Sequence, residues 1–355
     1  MQKLPLFALA LCTHLAIAQD EIAPPADEQI SEAIEQSGSW SLSKIKLRDA
    51  TLYWENDGTA PNIVDDTDRY YTNGAGIELS FDPQLTASLA DRLAPSDEWN
   101  KPRFGLGLAV KQLIFTGIDI TDPSPAANDH PYGGYLYLAF SFQRADDKKH
   151  DHFELDLGVV GERSQAEAVQ RFIHNIFPDE NTPEGWGHQI ANEPTINFTF
   201  ERTFKSEPGN IAGVEFEMLP SFGVDLGNVY TRARGRITLR AGHNLPDDFG
   251  PASLLGHKDH TISNVEWGNG SWSIYAYATL GVDAVAWNIF LDGNTFATSR
   301  SVDSELFVAQ ATIGVVTRYK AFYLGWAQNF QTEEFETQAD EQAWGSLTLG
   351  CSIDY

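Results

Sequence analysis

The last ten residues alternate without a break. Leu347, Leu349, Cys351, Ile353 and Tyr355 fall on one face, and Ser346, Thr348, Gly350, Ser352 and Asp354 on the other. A period of two with one apolar face describes a half-buried strand. The pattern recurs in Ala75/Ile77/Leu79/Phe81, Phe104/Leu106/Leu108/Val110, Leu136/Leu138/Phe140/Phe142 and Phe153/Leu155/Leu157/Val159. No stretch of the mature chain approaches the roughly 18 apolar residues that a membrane helix needs. Two architectures remain: a soluble sandwich with its oily face hidden, or a membrane barrel with that face outward. The polar faces carry Glu78, Lys111, Glu154 and Asp156 among many glycines, which suits a narrow hydrated lumen. The aromatic terminus, Tyr355, points the same way. The expectation is an all-β, twelve-stranded antiparallel transmembrane barrel.

The start of the chain reads as an export signal, residues 1–18. Lys3 gives a positive start, Leu4 to Ile17 an apolar run and Ala16-Ile17-Ala18 a small-x-small cleavage pattern. Leu11 before Cys12 is not small, which argues against lipidation. Cleavage leaves Cys351 as the single cysteine, so no intrachain disulfide is expected. Residues 19–45 are acidic and proline-containing and are expected to be a flexible periplasmic lead-in, with the barrel spanning 46–355. The formal charge of −26 excludes nucleic acid as a partner, because phosphate binding needs the opposite sign. Solubilising loops or loops that hold divalent cations would both account for it.

The strands are expected at 47–56, 74–82, 104–114, 134–144, 152–161, 194–204, 211–222, 230–241, 271–284, 304–317, 320–331 and 343–355. An even count returns the C-terminus to the side of the N-terminus. Turns on that side should be short, as at Ala145–Asp151 and Ser206–Asn210. Segment 243–270 is the exception, and is either an inner plug or a sign of miscounted strands. Parity gathers Asn56-Asp57, Thr72-Asn73-Gly74, the loop with Asp119 and Asp129-His130, and the loop 162–192 at one rim.

That last loop carries a helix, for which Ser164 and Glu167 form a capping-box pattern. Gln170 and His174 share a face four residues apart. His174 beside an acidic rim is the candidate general base, although a capping or packing histidine would read the same. Asp57 opens a loop with Asp65, Asp66 and Asp68; hard cations take oxygen ligands, and an acidic loop without metal is the equal alternative. His130 between two prolines reads as a packing residue, and Leu291-Asp292-Gly293-Asn294 as a tight turn. No Gly-x-Ser-x-Gly elbow is present.

The chain resembles the outer-membrane lipid A 3′-O-deacylases over nearly its mature length. The resemblance rests on ENDG at 55–58, DRYYTNG at 68–74, DHPYGGYLY at 129–137, GERSQAEAVQRFIH at 161–174, GWGHQIANEP at 185–194, GNVYT at 227–231, RAGHNLPDDFGP at 240–251, NIFLDGN at 288–294 and the GSLTL of the final strand. It implies hydrolysis of the ester-linked 3′ acyl chain of lipid A in the outer leaflet, with Ca²⁺ required. It places the essential histidine on His174, the Asn-Asp pair on Asn56 and Asp57, and the threonine on Thr72. Gln170 would position water or ligands, Asn56 and Asp57 would hold the cation, and Lys111 would contact the oxyanion or a phosphate. Expected partners are lipopolysaccharide, outer-membrane lipids and, during biogenesis, the barrel-assembly machinery. His130 stands where the family usually has arginine, and Arg163 where it usually has proline. The alternatives are an outer-membrane phospholipase with the same site, and a non-enzymatic channel.

Overall fold

The computed structural model describes residues 45–352 apart from 59, 65–66, 177–181 and 255–271. The expected leader, the expected lead-in up to residue 44, and Tyr355 lie outside the described residues. Strands run in chain order as β1 (Lys46–Asn56), β2 (Tyr70–Asp82), β3 (Arg103–Thr116), β4 (Gly133–Ala145), β5 (Lys149–Val160), β6 (Glu193–Phe204), β7 (Gly209–Ile211), β8 (Val214–Gly227), β9 (Tyr230–His243), β10 (Trp272–Asn288), β11 (Phe307–Tyr319), β12 (Phe322–Gln331) and β13 (Gln342–Ser352). Neighbours pair antiparallel, β1 meets β13, and β6 meets β8. These pairings close a twelve-stranded antiparallel barrel. The three-residue β7 lies outside the ring and only extends the turn before β8.

Side-chain direction decides between the two expected architectures. Leu52, Ile77, Val110, Leu138, Leu157, Ile196, Leu239, Leu280, Ile313 and Leu349 are all exposed on the outer wall. Glu78, Lys111, Glu154, Asp156, Asp225, Asp283 and Arg240 are buried inside. A sandwich would reverse these faces. A lipid-solvated barrel needs this arrangement, because hydrocarbon satisfies no polar group. Among the described residues no helix is long and apolar enough to cross a membrane. Strands make the crossing.

The lumen is filled at both ends. Helix α3 (Ile289–Asp292), which follows β10 directly, drops Phe290 into an aromatic cluster. Its ring stacks on Phe115 with centroids 4.1 Å apart, and Tyr135 and Tyr230 approach it. The expected tight turn at 291–294 is therefore the end of this helix, closed by Gly293 at φ 83°. From the other rim, residues 244–254 fold inward. Arg240 and Arg318 both grip Asp248, while Ala252 and Leu254 join the core cluster that holds Tyr53, Tyr71 and Leu113. The segment after β9 is an inner plug over its described part, and the strand count stands. Residues 255–271 of it lie outside the described residues.

One connection on the short-turn rim is longer than parity suggested. Residues 83–102 contain helix α1 (Ala87–Leu93), which has no buried residue, and Trp99, which is 2% exposed. Arg144 and Lys149 stand over the Trp99 ring at 4.8 and 4.3 Å from its centroid. That cation–π contact pins the loop to the β4–β5 turn.

Candidate active site

The opposite rim carries the long loops, and helix α2 (Ala166–Ile176) lies there against the outside of the wall. Leu113 and Phe115 belong to the lumen cluster, so Ile114 between them points outward. It is fully buried all the same, packed with Tyr132, Ala166 and Trp186. Gly134, on the outer face of β4, makes this docking possible. A Cβ there would sit 2.2 Å from both Ala166 Cβ and Ser164 Oγ. The capping box does not form. Glu162–Ser164 make a 3₁₀ turn, Gln165 turns left-handed, and Ser164 Oγ donates back to the Gly161 carbonyl at 2.6 Å. The helix starts one residue later than the pattern implied.

The structure brings most of the expected residues together. Asn56 ends β1 on the outer face, because Glu55 before it accepts bonds from Tyr71 and Ser346 inside. Its amide donates to the Thr72 carbonyl at 3.1 Å, and the Asp57 backbone N–H reaches the same oxygen at 3.3 Å. Thr72 is the extra residue of a bulge between Tyr71 and Asn73. The bulge turns its hydroxyl away from the lumen to meet Thr116 Oγ1 at 2.6 Å. Asp57 is wholly buried. Its Oδ2 accepts from Arg69 N at 2.6 Å and from Thr67 Oγ1 at 3.1 Å.

His174 reaches the same segment from the helix. Its Nε2 lies 3.2 Å from Asp68 Oδ2. The imidazole and the Asp57 carboxylate are thus tied to neighbouring residues of one loop, on the lipid side of the wall. Gln170 is buried one turn earlier, and its Oε1 accepts from Trp186 Nε1 at 2.8 Å. Its Nε2 has no hydrogen-bond partner.

Lys111 is not part of this group. It faces the lumen, 2% exposed, with Nζ 3.3 Å from Glu154 Oε2. Position 111 shares the inward parity of Leu113 and Phe115, so the wall itself separates it from the site. Asp119 also stands apart in a self-contained turn, where its Oδ1 accepts both the hydroxyl and the N–H of Thr121. Those bonds pull its carboxyl below the usual range. His130 is a packing residue, stacked on Phe115 with planes 6° apart. Burial lowers it to about 4, so it is neutral. Arg163 has a role that a proline could not fill, because its N–H donates to Asn192 Oδ1 at 2.7 Å. Sequence reading missed Trp186 as a site residue and gave Asp68 only as one acid of a possible cation-holding loop, not as the partner of His174. Spacing carried no signal for either, since their partners are distant along the chain.

Asp57 shows whether these residues fit a hard cation. Burial, and the neighbouring charge of Asp68, hold its carboxyl well above the usual carboxylate range. Its Oδ1 is buried with no hydrogen-bond partner. Buried polar atoms are nearly always satisfied, and a buried anion next to another anion is expensive. A divalent cation would relieve both. The oxygen donors of Asp57, Asp68 and Asn56 have the chemistry that such an ion prefers. The residues fit.

Comparison with known proteins gives one family. The family model for the outer membrane protein LpxR matches residues 6–353. The structure of LpxR from Salmonella typhimurium superposes with a TM-score of 0.68 at 18% identity, covering 85% of this chain and 99% of that one. The β domain of the Bordetella autotransporter BrkA (TM-score 0.42, 12% identity, 88% and 100% coverage) is also similar. So is the translocator domain of the autotransporter NalP from Neisseria meningitidis (0.39, 9%, 92% and 95%). No curated protein sequence matches. The chain is a member of the LpxR family of outer membrane proteins.

Proposed function

We propose that this barrel is a carboxylic ester hydrolase acting on lipid A, removing the 3′-linked acyl chain in the outer leaflet with the help of Ca²⁺. The observation that carries the reading is a buried Asp57 with an unsatisfied oxygen, held by the segment that also pairs with His174, on the face of the wall that looks into lipid.

With Nε2–H donated to Asp68, Nδ1 becomes the basic nitrogen and takes a proton from water. The hydroxide so formed attacks the ester carbonyl. Collapse of the tetrahedral intermediate breaks the bond to the sugar oxygen, and the imidazolium returns its proton to that leaving group. Asp68 fixes the tautomer and stabilises the cationic imidazole. Gln170 offers a buried N–H to the water or to the carbonyl. Asp57, Asn56 and Asp68 would hold the cation, whose charge, when bound, offsets the developing oxyanion. Lys111, on the lumen side, takes no part.

Mass spectrometry of lipid A from cells with and without the protein tests this reading. Loss of the 3′ acyloxyacyl mass is expected, and it should disappear with chelator. Unchanged lipid A alongside new lysophospholipid would replace the reading with a phospholipase. Ion conductance without any hydrolysis would replace it with a channel.

A further inference from the structure

Directly below the site the outer wall is notched. Two rungs of cross-strand neighbours run under it. The upper joins Leu347, Trp54, Ala75, Gln112 and Leu136, and the lower joins Leu349, Leu52, Ile77, Val110 and Leu138. The rung above them holds Asn56, Asn73, Ile114 and Gly134, the floor of the candidate site. Ala75 is the small member of the upper rung, flanked by the indole of Trp54 and the amide of Gln112. The result is a groove of about 430 Å³ lined by Leu52, Trp54, Ala75, Ile77, Val110 and Leu136. Gln112 closes its upper edge, since its amide Nε2 donates to the Ser164 carbonyl at 2.6 Å and so ties the wall to the turn before α2.

We propose that this notch seats the acyl chain being released, immediately beneath its ester, and that Ala75 sets which chains fit. The proposal rests on the hydrolase reading above. The occupant follows from continuity: the groove begins at Asn73 and Asn56, its lining is apolar, and it opens to the hydrocarbon in which an acyl chain already lies. A chain bound there leaves the bilayer without crossing water. The notch therefore contributes shape and alignment rather than hydrophobic transfer. Ala75 sits one rung below Asn73, two residues or about 7 Å along the strand, so only a chain longer than that passes over it.

The test uses the full-length protein in phosphatidylethanolamine vesicles carrying lipid A with a mixture of short and long 3′ acyl chains. Released fatty acids are counted by mass spectrometry. Ala75→Trp fills the notch and should move the short-to-long release ratio about tenfold toward short chains, the effect of a methylene-scale mismatch in a fitted pocket. Ala75→Leu should move it less. Ala278→Trp, an exposed position on the far wall, should leave the ratio as in wild type. Assembly is read from heat-dependent electrophoretic mobility, and Ala75→Leu decides the matter if Ala75→Trp does not assemble. An assembled Ala75 variant with the wild-type ratio, even at reduced rate, overturns the proposal. Wild-type protein releasing no fatty acid of either length sinks the hydrolase reading and this proposal with it.

Discussion

In the lumen Asp225 receives Arg232 at 2.6 Å and Arg234 at 3.1 Å, and Asp283 receives Arg232 and Arg236. On the outer face of the facing wall, Asp57 is just as buried, yet the charge next to it is Asp68, another carboxylate. Both regions bury acids. One surrounds them with guanidinium groups whose planar forks need no ligand. The other leaves an Asp57 oxygen unmet beside a second carboxylate, Asp68, which in turn meets the His174 imidazole. A ladder of opposite charges holds the barrel's shape, whereas two like charges side by side favour a cation between them.

Breaking the outer site should be the larger effect on chemistry and the smaller one on assembly. His174→Ala should lower the rate of acyl release by about 10²–10⁴-fold while the barrel migrates as folded in unheated gels. Undiminished release would remove His174 from the mechanism. Asp57→Asn keeps the shape and removes the charge; a loss on the order of 10²–10³-fold is expected, with a raised Ca²⁺ requirement in a metal titration of activity. Breaking the lumen should do the reverse. Asp225→Asn removes one of the two carboxylates that Arg232 and Arg234 each pair with, leaving Asp283 and Glu201, so the stability cost should fall below the roughly 3–5 kcal/mol of a fully uncompensated buried charge. Denaturant unfolding should show it, while acyl release by the folded fraction stays at the wild-type rate.

The two regions were also unequally legible in the sequence. Every membrane-crossing strand was readable, because hydrocarbon on one side and a hydrated lumen on the other force strict alternation on each segment. Boundaries slipped where that force lapses. β2 starts at Tyr70 rather than 74 because the Thr72 bulge breaks the period. α1 was invisible because none of its residues is buried. At the site, His174 and Asp57 were legible as an imidazole and an acid sharing one rim, the roles of Asn56 and Thr72 came from resemblance, and the convergence came from strand parity. Lys111 was read correctly as facing the lumen, but alternation does not show on which side of the wall the rim loops pack, so the contact expected of it with the site does not form. Asp68 was counted only as one acid of a loop. Its role depends on a left-handed turn (φ 46°) that aims it at α2, and no spacing rule shows that.

His130 extends the comparison to pH. It lies between the two regions, boxed by Phe115, Tyr70 and Phe335, and burial lowers it to about 4. The folded state prefers the neutral ring, so this contribution is complete above the ordinary value of 6.5 and is lost as pH falls from there toward 4. Stability should drop over that window by up to about 3 kcal/mol. Thermal unfolding followed by gel mobility should show a pH slope that His130→Phe flattens. An identical slope in the variant would assign the effect to the acidic loops instead.

The smallest effect should come from Arg163. Its N–H is the donor that Asn192 Oδ1 accepts at 2.7 Å, and Gly161, two residues earlier, donates to the Gly134 carbonyl. Together these bonds fix the turn that lays α2 on the wall. Arg163→Pro removes one of them and restricts the preceding residue to extended backbone, where Glu162 now opens a 3₁₀ turn. A net hydrogen bond is worth about 1 kcal/mol, so the barrel, held by its own ladder, should unfold as before. The helix, held by Gly134 packing and this turn, should loosen. Hydrogen exchange over 162–174 should rise several-fold and acyl release fall by a similar factor. If exchange rises but release does not, the alignment of His174 depends on Asp68 rather than on the seat of the helix.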